Sequence, residues 1–533
     1  PDDFDSTDLP ALCRLVNWAG LLGSRVLLSS AIMPPAMLTA LFSAYQAGRK
    51  QFNRACGTPG QSDEICCAWF DEFGALSSNC TDQQAFKVSN SEFVATRVKH
   101  LKADLEPGKA LRLAEVLDVE TISGSKEEAV DALCASLWEG MTQLHQSHAS
   151  ADPATGKQVS VGLIRMANIN PLVAVAQRLI ERDIPQTVSF VGTRLHLCVY
   201  HSQHPLLVRS HIEARLDSML NRKQPGVLWQ QPEIRSALDT FPEQSHLFVV
   251  LGSPVTEVGC DHDYDWAIAE PSSMRSLIQL AGRIQRHRKQ APKSTNMLVL
   301  NYNYRTLKQL AVNSDTAPLL YTQPGFEAKT TGPNTMLQLD SEHWAIKQCV
   351  KAEDLSAISS IPRIIEPARA ANGTSLIQIE HLHLIAALFE NRAVQIQGRT
   401  CADRWWQLSP APDWHAEMQR RTPFRQSSPD DAFVLYQQDD TEEPVFHLIR
   451  ESDGYLLPQK LTFDYPEIKP AQHCSPWLES DVKTLIAEMS EKLGREVSDI
   501  SKHFCEIRLR RLNDTGAKSW QYHPWLGIFR NID

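Results

Sequence analysis

The stretch His246–Arg288, HLFVVLGSPVTEVGCDHDYDWAIAEPSSMRSLIQLAGRIQRHR, decides the fold. It opens with an apolar run, His246 to Leu251, that is too short for a buried helix and rich in Val and Phe. Such a run reads as an interior strand, here ended by Gly252 and Pro254. After a polar loop comes a second short run, Trp266 to Ala269, and then Glu270, Pro271 and two serines, a helix start with Ser272 or Ser273 as N-cap. Strand, loop, strand, helix is a unit of a parallel α/β sheet. The spacing predicts a helix from Ser273 to about His287, with Leu277, Ala281 and Ile284 on one face and Gln279, Arg283 and Arg286 on the opposite one. That polar face reads either as a solvated surface or as two guanidiniums and an amide turned toward a ligand.

The alternation continues on the N-terminal side. Ser125 and Glu128 form a capping-box pattern, and Val130, Leu133, Leu137, Met141 and Leu144 recur at helical spacing, so a helix is expected from Ser125 to about Gln146. Val159 to Ile164 reads as a strand, and Asn170-Pro171 opens a helix with the apolar stripe Leu172, Val175, Leu179. A strand from Arg194 to Tyr200, a helical stretch from Leu207 to Leu220 and the run Asn296 to Leu300 complete a doubly wound α/β domain over 125–300. The Gly156-Lys157 pair is not a phosphate loop, because Ala151 stands where the first glycine belongs and Gln158 where a hydroxyl belongs.

Further toward the start, Leu9 to Trp18 is amphipathic and Ser24 to Ala31 reads as a buried strand. A helix from Pro35 to about Gln46 follows, with Pro35 in its first turn. Residues 50–120 carry only connecting structure in this reading. Beyond Asn301 the pattern weakens into a Pro- and Gly-containing linker, a helix from Ser375 to Asn391 and a Trp-rich, mixed C-terminal region.

Composition sets limits. With 533 residues, 42% hydrophobic and 22% charged, the chain has the composition of an ordinary multi-domain globular protein. Arg14 and Arg25 interrupt the richest apolar run, and the start lacks a basic leader, so neither a membrane span nor a signal peptide is expected. The 12 cysteines include no C-x-x-C pair; Cys66-Cys67 with Cys56 and Cys80 fits no common zinc spacing, so reduced buried thiols and a cytoplasmic location are expected. A net charge of −10 argues against a whole-protein grip on nucleic acid and leaves local basic clusters. These are Arg275 to Lys289, Arg420-Arg421-Thr-Pro-Phe-Arg425 and Arg508-Leu-Arg510-Arg511.

Several strings carry a resemblance. Gln279-Leu-Ala-Gly282-Arg283-Ile-Gln-Arg286 resembles motif VI of superfamily two helicases, Thr256-Glu-Val-Gly-Cys-Asp261 resembles motif V, and Ser29-Ser30-Ala31-Ile32 resembles motif III with Ile32 in place of its threonine. Together with Leu21–Pro35, Val249–Arg288, Gln323–Glu327 and the terminal Trp520–Arg530, the chain resembles the CRISPR-associated helicase and nuclease of type I-F systems from end to end. Pro1-Asp2 then looks like the second half of a motif II, so a C-terminal fragment is expected, without phosphate loop, motif II Asp-Glu pair or nuclease domain.

The resemblance implies an α/β fold built on a RecA-like helicase lobe, a doubly wound parallel sheet, with a partial first RecA-like lobe and a mixed α+β C-terminal domain. Its expected limits are 1–120 for the end of the first lobe, 121–305 for the second, 306–390 for a linker with a helix and 391–533 for the C-terminal accessory domain. It implies ATP and Mg²⁺ shared with the missing first-lobe motifs, and nuclease metals in the missing domain only. The implied partners are single-stranded DNA, an RNA-guided surveillance complex and the adaptation integrase.

Arg283, Arg286 and Gln279 take the catalytic roles in this reading, because charge developing on a transferred phosphoryl group needs fixed cations. Gly282, Asp261 and Ser30 fall on the nucleotide side. Thr256, Glu257, Arg420 and Arg421 are the candidate DNA contacts, to phosphate rather than bases. Asp261, His262, Asp263 and Asp265 admit a rival reading as a metal site, against that of a coupling loop. His201, His204, His381 and His383 read as surface or packed histidines. A non-catalytic nucleic-acid or partner-docking module that keeps the fold is the alternative function, and turnover by the isolated chain is not expected.

Overall fold

A computed structural model of the chain describes residues 8–120, 124–182, 192–257, 259, 261–311, 345–367, 375–389, 429–458, 463–511 and 520–530. The chain divides into two compact units, one of Pro1–Ala110, Ser272–Ile278 and Ala317–Gln426, the other of Leu111–Pro271, Gln279–Thr316 and Ser427–Asp533.

In the first unit, helix α1 (Leu9–Leu21) packs on α2 (Pro35–Cys56). Leu9, Leu12, Cys13, Val16, Met37, Leu41 and Ala44 form their seam, joined by Leu384 and Leu388 of the helix Leu376–Phe389. The close approach needs Gly48, since a methyl group there would run into the Asn17 carbonyl. The region 50–120, expected to be only connecting, holds an antiparallel hairpin of β1 (Ile65–Phe70) and β2 (Ala75–Cys80) and the helix α3 (Gln83–Asp104), capped by Asp82. Glu380, fully buried, accepts the Met274 N–H at 2.5 Å and pairs with Arg363 at 3.0 Å.

Ser24 to Ala31 differs from expectation. It forms no strand, and Leu27 is 88% exposed. An apolar run becomes an interior strand only when other strands flank it, and among the described residues of this unit the only sheet is the β1–β2 hairpin.

The second unit is built on a parallel sheet. In chain order its strands are β3 (Ala114–Leu117), the short β4 (Ser150–Ala151), β5 (Gln158–Arg165), β6 (Thr193–Tyr200), β7 (Ser245–Gly252), β8 (Trp266–Ala269) and β9 (Met297–Leu300). Across the sheet the order is β6-β7-β5-β8-β9-β3, all parallel, with β4 antiparallel to β5. Strands β5 to β8 are buried on both faces, as near-continuous apolar runs require. Helices α4 (Lys126–His148), α5 (Ile169–Glu181), α6 (Leu206–Leu220), α7 (Pro232–Thr240) and α9 (Tyr304–Ala311) alternate with the strands, and α8 (Met274–Ala281) follows β8 in the chain, its residues up to Ile278 counted with the first unit. The Ser125–Glu128 capping box is formed in both directions.

The sheet outgrows the span read from sequence at both edges. β3 lies before residue 121 yet pairs with β9, and a strand from the C-terminal region, Cys474–Pro476, pairs in parallel with β6. The rest of that region has two small sheets. One joins β10 (Asp430–Tyr436), β11 (Val445–Ile449), β12 (Leu456–Pro458) and Glu506–Arg510; the other joins β13 (Phe463–Asp464), Trp520–His523 and Gly527–Phe529. Trp525 Nε1 donates to the Leu197 carbonyl at 2.9 Å, and Gly527, at φ +72°, lies against the His201 and His204 rings where no side chain fits. Both histidines are buried, as packed residues.

Candidate functional site

The expected long helix stops early. α8 ends at Ala281, so Arg283, Ile284 and Arg286 lie in the turns after it and not on one continuous helical surface. The cause is pairing with the polar loop before β8. Ile284 bridges Tyr264 in parallel, Tyr264 N–H donates to the Arg283 carbonyl at 2.9 Å, and Gln285 takes a left-handed φ of 49°. Arg112 Nε caps the end by donating to the Ala281 and Ile284 carbonyls at 3.1 and 3.3 Å. Tertiary hydrogen bonds outweigh a helical periodicity that would otherwise continue.

The carboxylate run is filled with arginines. Asp265, fully buried, receives Arg222 Nη1 and Arg288 Nη1, each at 2.6 Å; burial pushes its carboxyl up, but the two guanidiniums win and hold it well below the usual range. Asp263 receives Arg288 Nη2 at 2.9 Å and the backbone N–H groups of Arg286, His287 and Arg288. Asp261 is half exposed, with Lys223 at 2.9 Å and Arg286 Nε at 2.6 Å, and Lys223 foremost keeps it ionised. Carboxylates spent in this way pin a loop; they are not open metal ligands. His262, also buried, meets Asp217 at 2.9 Å.

The two arginines differ. Arg283 is 8% exposed and its Nη2 donates to the Glu257 carbonyl at 2.5 Å, whereas the Arg286 side chain is 41% exposed. Gln279 is half-buried and Gly282 follows α8 directly. Thr256 and Glu257, expected to face DNA phosphate, are buried: the Thr256 hydroxyl donates to the Ser253 carbonyl at 3.0 Å, and Glu257 pairs with the fully buried Arg165 at 2.7 Å. Both side chains are therefore turned away from solvent, Thr256 ending the short 3₁₀ turn after Gly252 and Glu257 capping it. Ser30 lies in the first unit, where its Oγ accepts the Ile32 N–H at 3.1 Å. Arg420 and Arg421 lie outside the described residues.

The sequence reading missed a cleft of about 750 Å³ at the carboxyl ends of β5, β6 and β7. Chain order jumps across the sheet there, from β7 past β5 to β8, the switch point where α/β sheets bind ligands. Ala167 to Pro171 at the start of α5, Gln203, Ser253 to Val255, and Arg305, Lys308 and Arg530 line it. Asn168 makes no side-chain cap bond, which leaves the Ile169 and Asn170 N–H groups of the first turn of α5 without an intrahelical partner, while Pro171 has no N–H and the Leu172 N–H is on the Asn168 carbonyl. Arg305 and Lys308 stand three apart on α9, a spacing that puts them on one face and is legible in the sequence. Arg530 comes from the far C-terminus, its backbone N–H on Asn170 Oδ1 at 3.2 Å and its guanidinium over Trp520.

A chain of buried hydrogen bonds with one ion pair, Arg165–Glu257, links this cleft to the arginine loop. Arg283 holds the Glu257 carbonyl, Glu257 holds Arg165, and Arg165 Nη1 donates to the Glu270 carbonyl at 2.8 Å. The Glu270 carboxylate in turn accepts the N–H groups of Ala167 and Tyr304 at 2.5 and 2.7 Å. Among the described cysteines all are free thiols, with Cys56 and Cys66 exposed rather than buried. In the last basic cluster Arg508 and Arg511 pair with Asp430 and Asp431. No helix among the described residues is long and apolar enough to cross a membrane.

Comparison with known proteins gives these residues a context. Residues 158–289 match the family model described as CRISPR-associated nuclease/helicase Cas3, C-terminal, and 435–530 match that of the CRISPR-associated Cas3 subtype I-F/YPEST-like C-terminal domain. The CRISPR-associated nuclease/helicase Cas3 subtype I-F/YPEST of Pectobacterium atrosepticum is 43% identical over 534 residues, 99% of this chain and 46% of that protein. Its counterpart from Pseudomonas aeruginosa is 37% identical over 530 residues, again 99% and 46%. The chain spans about half the length of these curated relatives. A crystal structure of T. fusca Cas3-ATP aligns at 16% identity over 59% of this chain and 32% of that one, with a TM-score of 0.32.

Proposed function

Given that the chain belongs to the Cas3-type helicase/nuclease family of subtype I-F, we propose that it is the strand-tracking part of an ATP-driven DNA translocase and nuclease acting in CRISPR interference. The observation that carries this is the buried chain Arg283–Glu257–Arg165–Glu270, which joins an arginine loop to a cationic cleft. A translocase needs such a link, because phosphate chemistry at one place must move a strand held at another.

In this reading Arg286 faces the ATP phosphates, where a half-exposed guanidinium offers charge to the developing anion. Bound ATP supplies the free energy of phosphoryl transfer. Arg283, with Gln279 and Gly282 beside it, fixes the loop, and Asp261 orients Arg286 through its ion pair. The acidic ligands of the Mg²⁺ and the nuclease metals would come, in this reading, from the part of the relatives' length that the chain does not span. The cleft takes the phosphodiester backbone of single-stranded DNA, using the α5 start, Arg305, Lys308 and Arg530 without reading bases. Recruitment by an RNA-guided surveillance complex, and association with the adaptation integrase, complete the proposal.

Titration of a labelled single strand at stepped salt concentrations tests it. Three cations on a single strand give a log–log salt slope of about −2, at roughly −0.7 per contact, and affinity should not depend on base sequence. Replacement of Arg305 and Lys308 by Glu should abolish binding. Tight, sequence-selective or salt-insensitive binding would favour a docking module instead.

A further inference from the structure

The cleft has two walls from distant parts of the chain, and one buried carboxylate touches both. Ala167 leads into the α5 start on one side; Tyr304 begins α9, which carries Arg305 and Lys308, on the other. Glu270, 1% exposed at the end of β8, accepts the Ala167 N–H on Oε2 at 2.5 Å and the Tyr304 N–H on Oε1 at 2.7 Å. Its backbone is held as firmly, with its N–H on the Arg165 carbonyl at 2.9 Å and its carbonyl under Arg165 Nη1 at 2.8 Å. The two walls meet again at the rim, where Arg305 Nη2 lies 3.5 Å from Asn168 Oδ1.

A carboxylate with one oxygen on each wall fixes a distance in a way that no apolar residue can. Its two acceptors are satisfied only when both N–H groups are in place, and a buried polar group left without its partner is costly. Burial pushes the Glu270 carboxyl up, against the pull of the two N–H donors and the charges of Arg165 and Arg305. We propose that Glu270 is the positioning residue of the cleft, setting the spacing between the α5 start and the Arg305–Lys308 face so that both engage successive phosphates of one strand. The inference rests on the nucleic-acid reading of the cleft given above. Glu270 touches no phosphate itself; it acts through Lys308 and Arg305.

A double-mutant cycle on the full chain tests this, with wild type, Lys308→Ala, Glu270→Gln and the double variant each titrated with fluorescein-labelled oligothymidylate at stepped salt and melted in parallel. The Gln amide oxygen can accept from one wall but its NH₂ cannot accept from the other. Lys308→Ala should weaken binding about tenfold in wild type and lower the salt slope by about 0.7, but should cost less than about twofold once Glu270→Gln is present. Equal losses in both backgrounds would overturn the positioning role and leave the DNA cleft standing, even if Glu270→Gln lowers the melting temperature. No loss from Lys308→Ala in wild type would remove the cleft as the DNA site, and the inference with it. If Glu270→Gln does not fold, Glu270→Asp, which keeps the charge but falls one methylene short, takes its place in the cycle with the same outcomes.

Discussion

Arg283 and Arg286 stand three positions apart and are held by different partners. Arg283 is buried on a backbone carbonyl, so Arg283→Ala strands that acceptor and should cost about 1–3 kcal/mol of stability. Arg286 pairs with Asp261 near solvent, so Arg286→Ala should change stability by less than about 1 kcal/mol. The two variants should separate in a thermal melt, while a fluorescent ATP analogue should bind more weakly to both. Equal melting shifts would mean that Arg283 is not held as described. Gly162 is a sharper case: it faces the fully buried Trp266 ring across β5 and β8, and Trp266 Nε1 donates to Ser160 Oγ at 3.0 Å. Gly162→Ala should cost about 1–3 kcal/mol through overpacking. The sequence names the arginines, but which of them is buried depends on a loop that lies some twenty residues earlier in the chain.

Among the elements, the strand Cys474–Pro476 shows how far apart in sequence a sheet can recruit. Arg194 on β6 donates to Ser475 Oγ at 2.8 Å and the Gln472 carbonyl at 2.9 Å, and pairs with Glu243 at 3.1 Å. His473 meets the same Glu243 at 2.8 Å. Removing one member of such a buried pair typically costs about 3–5 kcal/mol because the other charge stays behind. Arg194→Ala should therefore release the edge strand, seen as faster amide exchange at Leu195 and Trp477, whose N–H groups bond across that edge, before the interior strands exchange. Unchanged protection there would show that the strand is held by its ladder alone. Three residues without alternation, in a stretch with two prolines nearby, carry no strand signal of their own. β7 and β8, by contrast, are legible, since apolar runs ended by Gly, Pro or an N-cap admit few other structures.

For the sheet-bearing unit as a whole, stability should depend on neutral imidazoles. Burial lowers His145, His201, His246 and His262 to about 4. In the unfolded chain they protonate near the ordinary value of about 6.5. Their folded pKa values are depressed, so the stability they support is fully present above about 6.5 and is lost as pH falls through about 4. Glu243, held at about 2 by His473 and Arg194 against the larger push of burial, adds a further loss below its ordinary range. Melting temperature measured from neutral to mildly acidic pH should begin to fall just below 6.5, before most carboxylates titrate. A flat profile down to pH of about 5 would contradict the burial of these rings.

The sequence by itself determined the parallel α/β class, the two strands and the helix start of the central stretch, the capped α4 and the family resemblance. Each of these depends on local periodicity or on chemistry within a few residues. Tertiary structure alone decided where α8 stops, that Thr256 and Glu257 turn inward, that β3 and Cys474–Pro476 extend the sheet, and that Ala167, Arg305, Lys308 and Arg530 meet around one cleft. Those outcomes are set by hydrogen bonds and ion pairs between residues tens to hundreds of positions apart, such as Ala167 with Glu270 and Asn170 with Arg530. A window of sequence contains only one partner of each such pair, and the energy that fixes the geometry belongs to both.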